Sequence, residues 1–132
     1  MNILKGKIAH IRTQGNISLV KVDSEGVLFS SIVIETPETA SYLKLGTPIH
    51  VVFKETEVVL AKKLEQEISM LNRVQGVVKA IDDGKLLSKI QVETKVGKIT
   101  AFITSEAVEA LQLKLGEEIC AMVQTTEIML SE

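Results

Sequence analysis

In the first half of the chain, apolar residues fall into short alternating or continuous runs: Gly6 to Ile11, Ile17 to Val22, Val27 to Ile34, Ile49 to Phe53 and Glu57 to Ala61. Runs of this length, rich in Val and Ile and close to period two, predict half-buried β-strands. Thr13-Gln14-Gly15-Asn16 and Asp23-Ser24-Glu25-Gly26 are turn clusters, so the first three strands are expected to be antiparallel neighbours. Thr36-Pro37-Glu38 offers an N-cap residue, a proline at the first helical position and an acid in the first turn, and Gly46 offers a stop. One short helix is predicted between the third and fourth strands. Lys54-Glu55-Thr56 then separates strands four and five as a tight turn or bulge.

The second half repeats this order. Strands are predicted over Gly76 to Ile81, Leu86 to Glu93, Lys98 to Thr104, Ile119 to Val123 and Glu127 to Leu130, with a helix capped by Ser105 and stopped by Gly116. Sliding the chain against itself by 70 residues sets Asn2 to Leu60 over Asn72 to Leu130 without a gap, and 14 of the 59 pairs are identical. Unrelated sequences would match at roughly 3 to 4 positions. The identities include Asn2/Asn72, Gly6/Gly76, the block Leu43-Lys44-Leu45-Gly46 over Leu113-Lys114-Leu115-Gly116, and Thr56-Glu57 over Thr126-Glu127.

The expected fold is therefore all-β with short helices: two tandem OB-like five-stranded β-barrels, each with one short helix between strands three and four. Residues 1–61 form the first barrel, 62–70 a polar linker and 71–132 the second. Modules of about 60 residues bury only about 60% of the surface of the unfolded chain, so self-association is expected to supply the missing burial.

Composition narrows the function. Fifteen basic residues face 17 acidic ones, aromatic residues make up 3%, and there is no Trp, a poor basis for nucleic-acid binding. No apolar run approaches the roughly 20 residues of a membrane span, and the N-terminus lacks the pattern of a signal peptide. With a single cysteine, Cys120, a cytoplasmic setting is expected. A phosphate-binding loop is missing. His10 and His50 are unmatched in the other copy, where Ala80 and Cys120 stand, and Cys120 lies in an apolar strand. No catalytic constellation emerges, and the protein is expected not to be an enzyme.

Small neutral donors do recur at strand ends. Thr56 and Thr126 match at the turn after strand four, and Ser30 and Ser31 stand near the strand-three position of Thr100. Asn2 opens the first copy, while Ser69 and Asn72 open the second. Hydroxyls, amides and backbone N–H groups can wrap an oxyanion, although such residues also satisfy nearby backbone groups.

The opening Ser69-Met70-Leu71-Asn72-Arg73-Val74-Gln75-Gly76-Val77-Val78 resembles that of the molbindin (Mop, or TOBE-domain) family. Lys98 to Thr104, Ala107 to Leu111, Leu113 to Glu117 and Ala121 to Leu130 resemble its later blocks in the same order. The resemblance covers both copies, as in tandem di-Mop proteins. It implies OB-like barrels around a threefold axis, a homotrimer, and molybdate, or tungstate, held at interfaces between barrels. It further implies oxyanion ligands from Asn2, Ser30, Ser31, Lys54 and Thr56 in the first copy and from Ser69, Asn72, Thr100, Thr125 and Thr126 in the second. Leu71, Gln124 and Glu55 depart from the family's Arg, Lys and Ser, so the two copies are expected to differ and complete sites to combine unlike copies. The implied role is molybdate storage. The alternatives are a molybdate-responsive sensor acting through a protein partner, and an oligomerisation module whose anion sites have decayed.

Overall fold

The computed structural model describes residues 1–63 and 67–132; of the expected linker, residues 64–66 lie outside the described residues. In the first copy, β1 (Asn2–Gln14), β2 (Ile17–Ser24) and β3 (Val27–Val33) form a meander, and β4 (Pro48–Phe53) pairs antiparallel with the other side of β1. A 3-10 turn, Glu55–Glu57, leads to β5 (Val59–Ala61). The second copy runs β6 (Asn72–Asp82), β7 (Leu87–Thr94), β8 (Gly97–Thr104), α1 (Ser105–Leu111), β9 (Glu118–Val123), a 3-10 turn at Thr125–Glu127 and β10 (Met129–Ser131).

The last strand of each copy joins the other copy's sheet. One sheet has the order β10-β4-β1-β2-β3 and the other β5-β9-β6-β7-β8. β5 pairs antiparallel with β9 through Val59/Met122, Leu60/Ala121 and Ala61/Cys120, and β10 pairs with β4 through Met129/Val52, Leu130/Val51 and Ser131/His50. Buried Val58, Leu60 and Ile128 carry this exchange into one continuous core with Phe29, Phe53, Ile99 and Val123.

The expected closed barrels are not formed: each unit is an open five-stranded sheet, with no ladder from β3 to β10 or from β8 to β5. Side chains from the other copy take the place of closure. Asn72 accepts a hydrogen bond from Ser30 N (2.7 Å) through Oδ1 and donates one from Nδ2 to Ser30 O (2.9 Å). Asn2 does the same with Thr100, at 2.8 Å and 2.9 Å. Each amide presents the donor and acceptor of a peptide group to the free edge of β3 or β8, so that edge is partly satisfied without a further strand.

A second correction concerns the helices. The first copy has only turns where a helix is expected, with one i, i+4 bond, Ala40 N to Thr36 O (2.9 Å), and i, i+3 bonds from Thr39 N to Thr36 O (3.0 Å) and Leu43 N to Ala40 O (3.2 Å). Thr39 Oγ1 accepts from Thr36 N (2.8 Å), and Thr36 Oγ1 accepts from Thr39 N (3.3 Å). These reciprocal i, i+3 bonds are of the kind that cap a helix start, but the weaker helix formers that follow do not carry i, i+4 bonding past Ala40. Ser105-Glu-Ala-Val-Glu-Ala-Leu, with better helix formers, does fold as a helix. Its N-cap is Thr104, whose hydroxyl accepts from Ala107 N (3.1 Å), rather than Ser105, and it ends at a left-handed Gln112, short of Gly116.

The repeated identities now have physical causes. β1 and β6 carry matching irregularities between Ile8 and His10 and between Val78 and Ala80. Gly46 N donates to Ile8 O (2.7 Å) while Ile8 N donates to Thr47 O (2.9 Å); Gly116, Val78 and Glu117 reproduce the pattern at 2.8 and 3.0 Å. The Leu-Lys-Leu-Gly block thus ends in a loop that takes up the backbone groups freed by the irregularity. Gly6 and Gly76 are fixed by crowding. A Cβ on Gly76 would fall 2.5 Å from Glu93 O and 2.7 Å from Val92 Cγ1. Gly76→Ala is expected to destabilise the fold by about 3 kcal/mol, the upper part of the overpacking range, as read by urea denaturation.

Candidate functional site

The sequence-predicted residues gather into two pseudo-equivalent constellations, each drawing on both copies. In the first, Asn2 pairs with Phe53, the residue before Lys54, and holds Thr100 of β8; β8 packs against the 3-10 turn that carries Thr56. In the second, Asn72 pairs with Val123, next to Gln124, and holds Ser30 of β3; β3 packs against the turn that carries Thr125 and Thr126. The start of the first strand and the turn after the fourth come from one copy, and the strand-three hydroxyl residue comes from the other.

Within these groups, Asn2 and Asn72 are buried, and each amide already gives one donor and its carbonyl to the opposite strand. Ser31 is also buried and donates to Ile128 O (2.8 Å), tying β3 to the entry of β10. Its counterpart in the second copy is Ala101, without a hydroxyl. Ser30, Thr100 and Thr125 are half-buried, and Lys54, Thr56, Thr126 and Ser69 are exposed. Arg73 Nε donates to Met70 O (2.7 Å) and its Nη2 to Ile68 O (3.3 Å), anchoring the backbone on either side of Ser69.

The two turns differ in charge. Glu55, at the position where the family pattern leads one to expect serine, is engaged by the Met1 ammonium at 2.7 Å, which with a backbone bond holds its carboxyl below the usual carboxylate range. Lys89, from β7 of the other copy, adds to that effect and was not apparent as a neighbour from the sequence. Lys21, another residue without a sequence signal, stands cross-strand from Ser30 and so shares its face of the sheet. The corresponding pair in the second copy is Gln91 and Thr100. The first turn thus has Lys54 and Lys89 nearby, while the second has Gln124 in place of Lys54.

Glu57 and Glu127 stand in the same two turns, beside Thr56 and Thr126. Burial pushes the Cys120 thiol up, opposite to what a nucleophile needs. His10 is exposed and His50 half-buried, and among the described residues no cluster of His, Cys, Asp and Glu is suited to hold a metal ion. The interior void between the copies, lined by Phe29, Phe53, Asn72 and Ile99 among others, measures about 10 Å³. That is room for one water at most. The arrangement supplies neutral hydroxyl and backbone donors with adjacent lysines, a set able to bind an anion.

Comparison with known proteins bears on this donor set. Residues 68–130 match the model of the TOBE domain. Molybdenum-pterin-binding proteins 1, 2 and 3 of Clostridium pasteurianum are 33%, 34% and 31% identical over 64 residues, which is 48% of this chain and 94% of each relative. The crystal structure of the cytoplasmic molybdate-binding protein ModG, with molybdate bound, superposes on 98% of this chain and 94% of its own, with a TM-score of 0.90 and 25% identity.

Proposed function

This chain belongs to the Mop/TOBE family, and on that premise we propose that it is a cytoplasmic molybdate-binding protein that holds the oxyanion reversibly for molybdenum storage and homeostasis. The observation that carries the reading is the whole-chain likeness to ModG, which spans both copies and therefore their exchanged strands. It is a binding protein rather than an enzyme. The donor set agrees: a tetrahedral dianion has four oxygens to satisfy and no protons of its own to offer, and hydroxyls, backbone N–H groups and lysines are all donors. The bare oxyanion is the ligand that strand-end hydroxyl and N–H donors suit.

In this reading the ligands come from Ser69, Asn72, Thr125, Thr126 and Ser30 at one constellation and from Asn2, Lys54, Thr56 and Thr100 at the other, while Ser31, whose one hydroxyl proton goes to Ile128 O, ties β3 to the second turn. Asn2 and Asn72 act chiefly by setting the position of the strand-three residue. Assembly is a homotrimer that completes the sites at its interfaces. Exposed Leu28, Ile32 and Ile34 along and beyond β3, with Phe102 on β8, support burial against further copies. Sedimentation equilibrium is expected to give about 43 kDa, three times 14.4 kDa.

Calorimetric titration near neutral pH is expected to show saturable heat with molybdate, and with tungstate as a close size match. No heat from either oxyanion would remove the functional conclusion. Lys54→Gln, which gives the first turn the residue of the second, is expected to weaken one class of sites about 10- to 100-fold, the loss of one charge-assisted contact. An unchanged isotherm would place the anion away from this turn.

A further inference from the structure

Two lysines beside the constellations have glutamines as their counterparts, and both lysines belong to the first copy. Lys54, in the turn after β4, corresponds to Gln124, and Lys21, in β2, corresponds to Gln91, each pair 70 residues apart. Each constellation joins the turn of one copy to strand three of the other, so the lysines are shared out. The first has Lys54 at its turn and Gln91 opposite Thr100; the second has Gln124 at its turn and Lys21 opposite Ser30. Sites built within single copies would hold two lysines in one case and none in the other.

The register brings Lys21 close to the strand-three donor. Ser30 N and O both turn away from β2 to the Asn72 amide, so Lys21 and Ser30 form a non-hydrogen-bonded cross-strand pair. Cα atoms in such pairs lie about 4.5 Å apart, with the side chains on one face. Buried Val20, Val22 and Ser31 point into the core, which leaves Lys21 and Ser30 on the outer face. Lys21 is half-buried and, among the described residues, has no ion-pair partner. Gln91 and Thr100 reproduce the arrangement, with Thr100 N and O held by Asn2.

The other charged residues on these faces are offset or distant. Lys98, next but one to Thr100, stands opposite Glu93, and Lys7 stands opposite Asp23. Lys89 stands opposite Asp82 and also acts on Glu55. Both members of that last pair have uncharged counterparts, Leu19 and Thr125, while Glu57 and Glu127 are common to the two turns. His10 lies on the side of Lys21 away from Ser30, and Arg12 is on β1, two strands and so about 10 Å from β3. One unmatched lysine remains at each constellation.

We infer that Lys21 is the lysine of the second constellation, meeting the oxyanion beside Ser30 as Lys54 does at the first, so that two unlike classes of site carry the same charge from opposite walls. The inference rests on the oxyanion reading above. An ammonium on a flexible stem can reach a dianion from either wall, whereas glutamine offers only neutral donors. One lysine per site gives each a charge-assisted contact. Gln124 is then compensated by Lys21 and is not a mark of a decayed site.

The test is calorimetry of molybdate binding to the full chain, comparing the unmodified protein with Lys21→Gln and with Lys21→Gln combined with Gln124→Lys. Lys21→Gln is expected to weaken one class of sites about 10- to 100-fold and to leave the class sensitive to Lys54→Gln unchanged. Returning a lysine to the same constellation from its turn, in K21Q/Q124K, is expected to restore the weakened class. A lysine that merely packed on β3 would not be replaced by one on a different element, so the rescue separates charge from packing. A K21Q isotherm identical to that of the unmodified protein, or a weakened one that Q124K does not restore, overturns the role of Lys21 and leaves molybdate binding intact. No heat with the unmodified protein overturns the oxyanion reading and this inference with it.

Discussion

Residues 1–61, produced without the rest of the chain, are expected not to fold as a monomer. β10 would be missing from the edge of β4, Ser30 would lose the Asn72 amide, and Ser31 would lose its acceptor at Ile128. β5 would have no β9 to pair with, and Val58 and Leu60, buried in the intact chain, would be exposed. A chain of this size is already near the lower limit of a self-sufficient core. Circular dichroism and sedimentation are expected to find either an unfolded chain or a concentration-dependent dimer in which each β5 fills the place of the missing β10. A monomer with cooperative unfolding would contradict this dependence on strand exchange. The Clostridium relatives, matched over 94% of their length by 64 residues, are about one copy long.

Asn72→Ala is expected to have the largest effect of any single polar substitution. Asn72 is 1% exposed and makes both of its observed bonds to the backbone of Ser30. Truncation leaves a part-buried N–H and C=O without partners, each costing about 1–3 kcal/mol, so the loss should be roughly 2–5 kcal/mol. For a chain of this size that corresponds to a Tm lower by roughly 8–20 °C. Asn72→Asp separates the two bonds: a carboxylate still accepts from Ser30 N but opposes Ser30 O, and it also buries a charge. It should therefore be no milder than alanine. If N72A and N72D both unfolded within about 0.5 kcal/mol of the unmodified protein, the ordinary range for an inconsequential surface change, the amide would not be what holds the β3 edge. If the oxyanion reading holds, N72A should also weaken one class of sites more than the other, because Asn2 still positions Thr100.

Much of the architecture is legible in the order of residues. The 70-residue repeat, the ten strands and their order follow from period-two apolar patterning and turn clusters. Periodicity is a property of neighbouring residues, and neighbouring residues are all it requires. Ends were less legible: β1 extends four residues ahead of the predicted Gly6 and three beyond Ile11, because pairing with β4 and β2 continues where the apolar pattern weakens. The helix of the first copy does not form. Pro37 and Gly46 punctuate the segment and the Thr36 and Thr39 hydroxyls cap its start, yet Thr39, Ser41 and Tyr42 are weaker helix formers than Glu-Ala-Val-Glu-Ala-Leu, and the segment stays as turns.

The candidate donors were also visible, as small polar residues recurring at equivalent strand ends. Their grouping was visible only as the expectation that complete sites combine unlike copies. Lys21 and Lys89 were not signalled at all, since a lysine within a strand has the same appearance whether it faces solvent or a neighbouring turn.

Local pattern was sufficient to specify strands, turns and the duplication, because each depends on residues close together along the chain. It could not specify which sheet would receive the fifth strand of each copy. Val59 to Ala61 and Met129 to Ser131 fit either open edge equally well by pattern, and three residues carry little information of their own. That choice was made by contacts at long range: Val58, Leu60 and Ile128 entering a shared core, and two asparagine amides, 70 residues apart, meeting strands of the opposite copy.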